Sequence, residues 1–257
     1  MYQVDAFASK LFSGNPAAVV ILESPLSVDL MQSIALENNL SETAFININE
    51  SPIPIRWFTP TLEVDLCGHA TMASAKILFE HFPDIAGSEI SFSSKSGILK
   101  VSKNAEDICL NFPADNPDPR EMDAFFAEAL GESPIKILRG TDDFLAVFKT
   151  EQQIQTMKPD FTKLAKINSR GVVISAPGND VDFVSRCFFP QTGVDEDPVT
   201  GSAHTMLIPY WAKQLDKIQF KAHQLSARGG VLDCKLINDR VLISGKSIIY
   251  FEGYIHL

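Results

Sequence analysis

The run Arg56–Ala70, RWFTPTLEVDLCGHA, places a thiol (Cys67), an imidazole (His69) and two carboxylates (Glu63 and Asp65) within a few residues. Metal ligation, thiol attack and general acid–base catalysis all draw on such groups. The C-x-H spacing of Cys67 and His69 is not a usual zinc pairing. His81, His204, His223 and His256 are too scattered to complete a tetrahedral site, so no metal is expected. No GxSxG elbow supports a Ser-His-Asp hydrolase. No GxGxxG follows a strand and no GxxxxGK[ST] occurs, so no dinucleotide, P-loop or other cofactor chemistry is expected.

The elements that must position these groups occur twice. Arg56, Phe58, Pro60, Val64 and Asp65 recur 130 residues later as Arg186, Phe188, Pro190, Val194 and Asp195. Gly68-His69-Ala70 then faces Gly201-Ser202-Ala203 at a shift of 133, which assigns the three extra residues to Glu196–Thr200. Ser93–Leu99 faces Ser226–Leu232 at the same shift, and upstream Ser41–Ile46 faces Arg170–Ser175 at 129. A slowly growing shift points to duplication. The expected halves are 1–115 and 116–257, with the last strand returning to the first half and Phe112–Arg120 (FPADNPDPR) as linker.

Each half carries β-rich runs, Ala17–Leu22 and Ala44–Ile48 in one, Phe144–Phe148 and Val172–Ser175 in the other. A Gly then opens a helix that is apolar around most of its circumference, Ala70–Phe79 or Ala203–Ala212. The fold class is therefore α+β, each half a curved sheet around a central helix. Pro209 predicts a kink, or an end near Ile208. The helix starts at Gly68 and Gly201 offer unpaired N–H groups without a Cβ in the way, which suits a small carboxylate substrate.

The copies differ where chemistry would need them to. Glu42 faces Gly171, His69 faces Ser202, and Cys67 has no thiol counterpart, its segment offering Glu196 and Asp197 instead. Glu42, His69 and Asp197 are therefore the catalytic candidates. Each has a plainer reading: Glu42 as a solvated loop carboxylate, His69 as a cap or packed ring, Asp197 as an N-cap with Pro198 at the first helical position. Cys67 reads as a buried residue, although the helix start beside it would lower its pKa.

A net charge of −10 argues against nucleic acid. No basic patch, apolar span or secretory signal points to a membrane or to export. The four widely spaced cysteines read as reduced thiols of a cytoplasmic protein.

Taken in order, VDAFASKLFSGNPAAVV, NLSETAF, FTP…DLCGHAT and DEDPVTGSAH resemble the PhzF family of phenazine-biosynthesis-type isomerases, which shares the diaminopimelate epimerase fold. The resemblance implies pseudo-symmetric halves with the site in the cleft between them, cofactor-independent proton transfer at carbon in a biosynthetic role, and a homodimer. It implies Glu42 as acid/base with His69 and Asp197, and Gly68, Gly201 and Ser202 as substrate contacts. Diaminopimelate epimerases use a cysteine from each half. Here the first slot holds Cys67 and the second, placed in Asp197-Pro198, holds no thiol, which disfavours a two-thiol racemase. An epimerase of a small amino or hydroxy acid with a non-thiol base, or a non-catalytic binding protein on the same fold, are the alternatives.

Overall fold

Small and β-branched residues fill Asn15–Leu22, NPAAVVIL, and most are buried, as expected for a strand covered on both faces. In the computed structural model, which describes residues 1–257, this strand pairs antiparallel with Tyr2–Ala6 and parallel with Glu42–Asn47. A parallel pair needs a crossover, and the helix Val28–Asn38 supplies it. Ser27 caps that helix by accepting from the Leu30 N–H, and Asn39 ends it in the left-handed region at φ 48°. Ile53–Phe58 then pairs antiparallel with Glu42–Asn47, and carries Glu63–Val64 antiparallel and Glu89–Ser94 parallel.

Two compact units divide the chain: Met1–Phe112 with Ile243–Leu257, and Pro113–Leu242. The second repeats the connectivity of the first. Lys136–Arg139 and Gly171–Pro177 flank Asp143–Val147, antiparallel and parallel respectively. Phe183–Phe189 follows antiparallel, and it carries Val194–Asp197 antiparallel and Gln219–Gln224 parallel. Part of the expected linker is a strand, since Asp118–Arg120 pairs with Lys136–Arg139.

Each unit is threaded by one long helix. Gly68–His81 buries eleven of its fourteen residues, so it has no solvent stripe, and it packs on Tyr2–Ala6, Asn15–Leu22 and Glu42–Asn47. Ser74 Oγ and Thr71 Oγ1 satisfy themselves on the carbonyls of Ala70 and Cys67. In the second unit the helix Gly201–Leu215 runs through Pro209 and does not end near Ile208. Proline leaves the carbonyl four residues back without its helical donor. That carbonyl, Thr205, accepts from the Asp115 backbone N–H at 3.0 Å, which removes the main reason to stop.

Ladder register corrects the alignment of the copies. Trp57 faces Val64 in one unit and Cys187 faces Asp197 in the other. Arg56 grips Glu63 with two bonds of 2.7 and 2.8 Å, and Arg186 grips Glu196 with the same two distances. The three extra residues therefore lie before Glu196, where Pro190–Thr192 makes a 3-10 turn, and not within Glu196–Thr200. Asp197 corresponds to Val64, and Cys67 corresponds to Thr200. Both are N-caps, and each N-cap carbonyl is bonded by a side chain four residues on, Thr71 or His204.

His204 is fully buried beside Phe183, with Nδ1 2.9 Å from the Thr200 carbonyl and Nε2 unpaired. Burial pushes its pKa down to about 4, with the Thr200 carbonyl opposing. The unfolded chain takes up this proton near the ordinary value of 6.5. Stability is thus complete above about 6.5 and falls as pH drops toward about 4, by on the order of 3 kcal/mol. Urea denaturation across this range should show the loss in the native protein and a flatter profile in His204→Asn, whose amide N–H can still reach Thr200.

Candidate active site

Glu42 opens the strand Glu42–Asn47 opposite Ala17, and His69 is the second residue of the central helix. Strand and helix bring His69 Nε2 to 3.1 Å from Glu42 Oε2. Oε2 is buried and ion-paired with the ring without a well-directed hydrogen bond. The Glu42 side chain as a whole keeps 18% exposure, enough for a small molecule to reach it. It is therefore not a solvated loop carboxylate, and His69 is neither a cap nor an apolar-packed ring.

On its other side His69 Nδ1 lies 3.1 Å from the Asn15 amide and 3.6 Å from Cys67 Sγ. Ser41 Oγ donates to Asn15 Oδ1 at 3.3 Å and orients the amide so that its NH2 meets a neutral imidazole. A half-turn of the amide would instead present Oδ1 to a protonated Nδ1. Burial pushes the Cys67 thiol up to about 11, and the Glu42 carboxylate adds to this. The lowering expected from the helix start does not prevail, and the sulfur is a neutral thiol near pH 7. Burial by itself would lower the His69 pKa, but the neighbouring Cys67 and Glu42 side chains together raise it well above its ordinary value.

The second unit builds its own cluster. Asp197 ends the strand Val194–Asp197, its carboxylate accepts from Thr200 Oγ1, and its carbonyl accepts from Gln224 Nε2 at 2.8 Å. It is not an N-cap: Thr200 holds that position and the helix begins at Gly201, so Pro198 is not its first residue. Ser202 Oγ accepts from Arg170 at 3.3 Å. Asp143 grips the Arg170 guanidinium, one bond being 2.9 Å, and the Phe189 ring underlies it at 5.3 Å.

Sequence reasoning missed Asn15 and Arg170. Asn15 carried no signal beyond its place in the VDAFASKLFSGNPAAVV run. Arg170 was set against Ser41 in the repeat, and a cation facing a hydroxyl was the available clue.

With this geometry in place, the comparisons decide the family. The phenazine biosynthesis-like protein model (PhzC-PhzF) matches residues 4–253. The chain belongs to the PhzC-PhzF family. An uncharacterized isomerase of Pseudomonas aeruginosa is 48% identical over 256 residues, covering 100% of this chain and 98% of that protein. A crystal structure of a PhzF-family protein from Enterococcus faecalis superposes with a TM-score of 0.96 at 44% identity, covering 100% and 98% of the two chains. A hydroxyproline epimerase from Agrobacterium vitis shares the fold alone, with a TM-score of 0.67 at 11% identity over 97% and 90%. The expected PhzF membership, the epimerase-like α+β fold and the isomerase class all stand. No helix is long and apolar enough to cross a membrane.

The PhzF fold also shows why the carboxylate occurs once. At the position equivalent to Glu42, a Cβ on Gly171 would collide with the Phe189 ring and meet the Phe188 carbonyl at 2.5 Å. The repeat places Thr59 opposite Phe189, so the smaller residue leaves Glu42 its room. Gly171→Ala should cost about 1–3 kcal/mol in chemical denaturation through overpacking.

The raised His69 pKa sets a second pH dependence. Its stabilising contribution is complete below about 6.5 and is lost as pH rises through the higher folded-state value. Denaturation series from about pH 6.5 upward should show this decline in the native protein, and a weaker one in Glu42→Gln.

Proposed function

We propose that this PhzF-family isomerase moves a proton between two carbons of a small carboxylate-bearing substrate, with Glu42 as the single acid/base and no cofactor. The observation that carries this reading is the Glu42 carboxylate, whose Oε2 is buried 3.1 Å from His69 while the side chain as a whole keeps 18% exposure. The imidazole holds the buried oxygen in place, which leaves the exposed part of the carboxylate to meet a substrate proton.

Glu42 takes a proton from a carbon next to a carboxylate, carbonyl or alkene. The electron pair moves into that group, and the resulting Glu42 acid returns the proton at another carbon. Developing negative charge on the substrate is met by the unpaired N–H groups at Gly68–His69 and, in this proposal, at Gly201–Ser202 across a cleft between the halves. Asp197 orients the substrate or relays protons, and Arg170 holds Ser202 in place. An epimerase would need a second base, and the position equivalent to Cys67 holds Thr200, whose hydroxyl is far too weak an acid to act as a second thiol. Cytoplasmic location and homodimeric assembly remain part of the proposal.

Screening small carboxylates for thermal stabilisation, then for C–H exchange in deuterated water, tests the reading. Glu42→Gln should reduce exchange and turnover by about 10²–10⁴-fold, while Cys67→Ala stays within about tenfold of native. Glu42→Gln at native rates contradicts the mechanism. Exchange with inversion supports an epimerase, and ligand binding without exchange supports a binding protein.

A further inference from the structure

We propose that the second unit carries a binding site for a small apolar monocarboxylate, outside the Glu42–His69 cluster. A cavity of about 450 Å³ opens between the segment 117–122, the strand Lys136–Arg139 and the last turns of the helix Gly201–Leu215. Small-molecule pockets commonly measure about 300–1,000 Å³. Every lining residue belongs to Pro113–Leu242, so the site is complete within one unit. Tyr210 lines it about 13 Å along the helix from Gly201, at the end away from the proposed substrate contacts.

The charges around this cavity have one sign. Arg120, Lys136 and Lys213 line it and no carboxylate does, on a chain whose net charge is −10. Asp118 and Glu121 flank Arg120 in sequence without lining the cavity. None of the three cations is ion-paired with a protein carboxylate. Lys136 Nζ meets the neutral Gln214 side chain at 3.3 Å and the Tyr210 ring at 5.9 Å. Lys213 has a plainer use, since a cation in the last helical turn complements the dipole. Arg120 and Lys136 come from paired strands and have no such use.

Tyr210 is the independent observation. It is 6% exposed, yet its hydroxyl bonds to no protein group, and burial alone pushes its pKa up. A tyrosine this buried usually has a partner for its O–H. The phenol stays protonated and offers a donor to an occupant of the cavity.

The remaining lining is apolar. Met122 and Ile135 are half exposed, while Pro117, Ile137 and Leu138 are buried. Cations and a phenol donor fix a carboxylate, and this wall accepts a ring or a short branched chain. A free phosphate would leave the apolar wall empty, and a neutral hydrocarbon would leave the cations unanswered.

Titration of the full chain with 3-phenylpropionate, followed by the carbon-13 methyl signals of methionine, tests the site. Met122→Leu identifies the Met122 signal by its loss. That signal should shift saturably, and 3-phenylpropionamide and acetate should each bind about tenfold or more weakly. Lys136→Gln should weaken binding about tenfold and Tyr210→Phe should weaken it too, with circular dichroism checking that each is folded. Glu42→Gln should bind the acid as the native protein does, so failure of this site and failure of the acid–base reading are told apart. An unresponsive Met122 signal overturns the site, as does equal affinity for the amide or for acetate. A Met122 shift that follows protein concentration instead of ligand also overturns it, and makes this face a contact between copies of the chain. If a variant fails to fold, the comparison of acid with amide in the native protein decides.

Discussion

A carboxylate at the start of a strand meets an imidazole in the first turn of a buried helix, and the chemistry proposed for this protein depends on that contact. Glu42 and His69 approach to 3.1 Å because the parallel register sets Glu42 opposite Ala17 while Gly68–His81 packs on the same sheet. Burial makes the pair consequential. In a dry setting Cys67 and Glu42 together raise the imidazole pKa against desolvation. The same setting keeps Cys67 a thiol.

Duplication supplied the frame, and divergence supplied the site. The bidentate Arg–Glu clamp, the N-cap carbonyl bonded by a side chain four residues on, and the alternation of parallel and antiparallel pairs occur in both units. These features satisfy polar groups in the corner between strand and helix, which both copies must do. At the proposed catalytic positions the copies exclude one another's solutions. The space that Glu42 uses is filled in the second unit by Phe189, over which Arg170 lies on its way to Ser202. One unit therefore presents a carboxylate and an imidazole, the other a cation and a hydroxyl.

Much of this was legible in the residues. Buried strands, all-round apolar helices and the glycines that open them have strong one-dimensional patterns, and the repeat doubled each signal. The Glu42/Gly171 asymmetry was visible for the same reason. The position of the three-residue insertion was not, because Val64-Asp65 and Val194-Asp195 match by type, and only the ladder register with the Glu63 and Glu196 clamps separates true equivalents from a coincidental pair. Continuation of the helix through Pro209 was equally hidden, since it depends on a donor from Asp115, distant in sequence. The roles of Asn15 and Cys67 around His69 are three-dimensional facts. No spacing rule links residue 15 to residue 69.

Nitrogen-15 NMR titration of the His69 imidazole, in the native protein and in Glu42→Gln, tests the central contact most directly. A His69 pKa well above the usual 6.5 that falls when the carboxylate is removed is the predicted result. An ordinary or lowered His69 pKa, unchanged in Glu42→Gln, would contradict a charged Glu42–His69 pair and the acid–base site built on it.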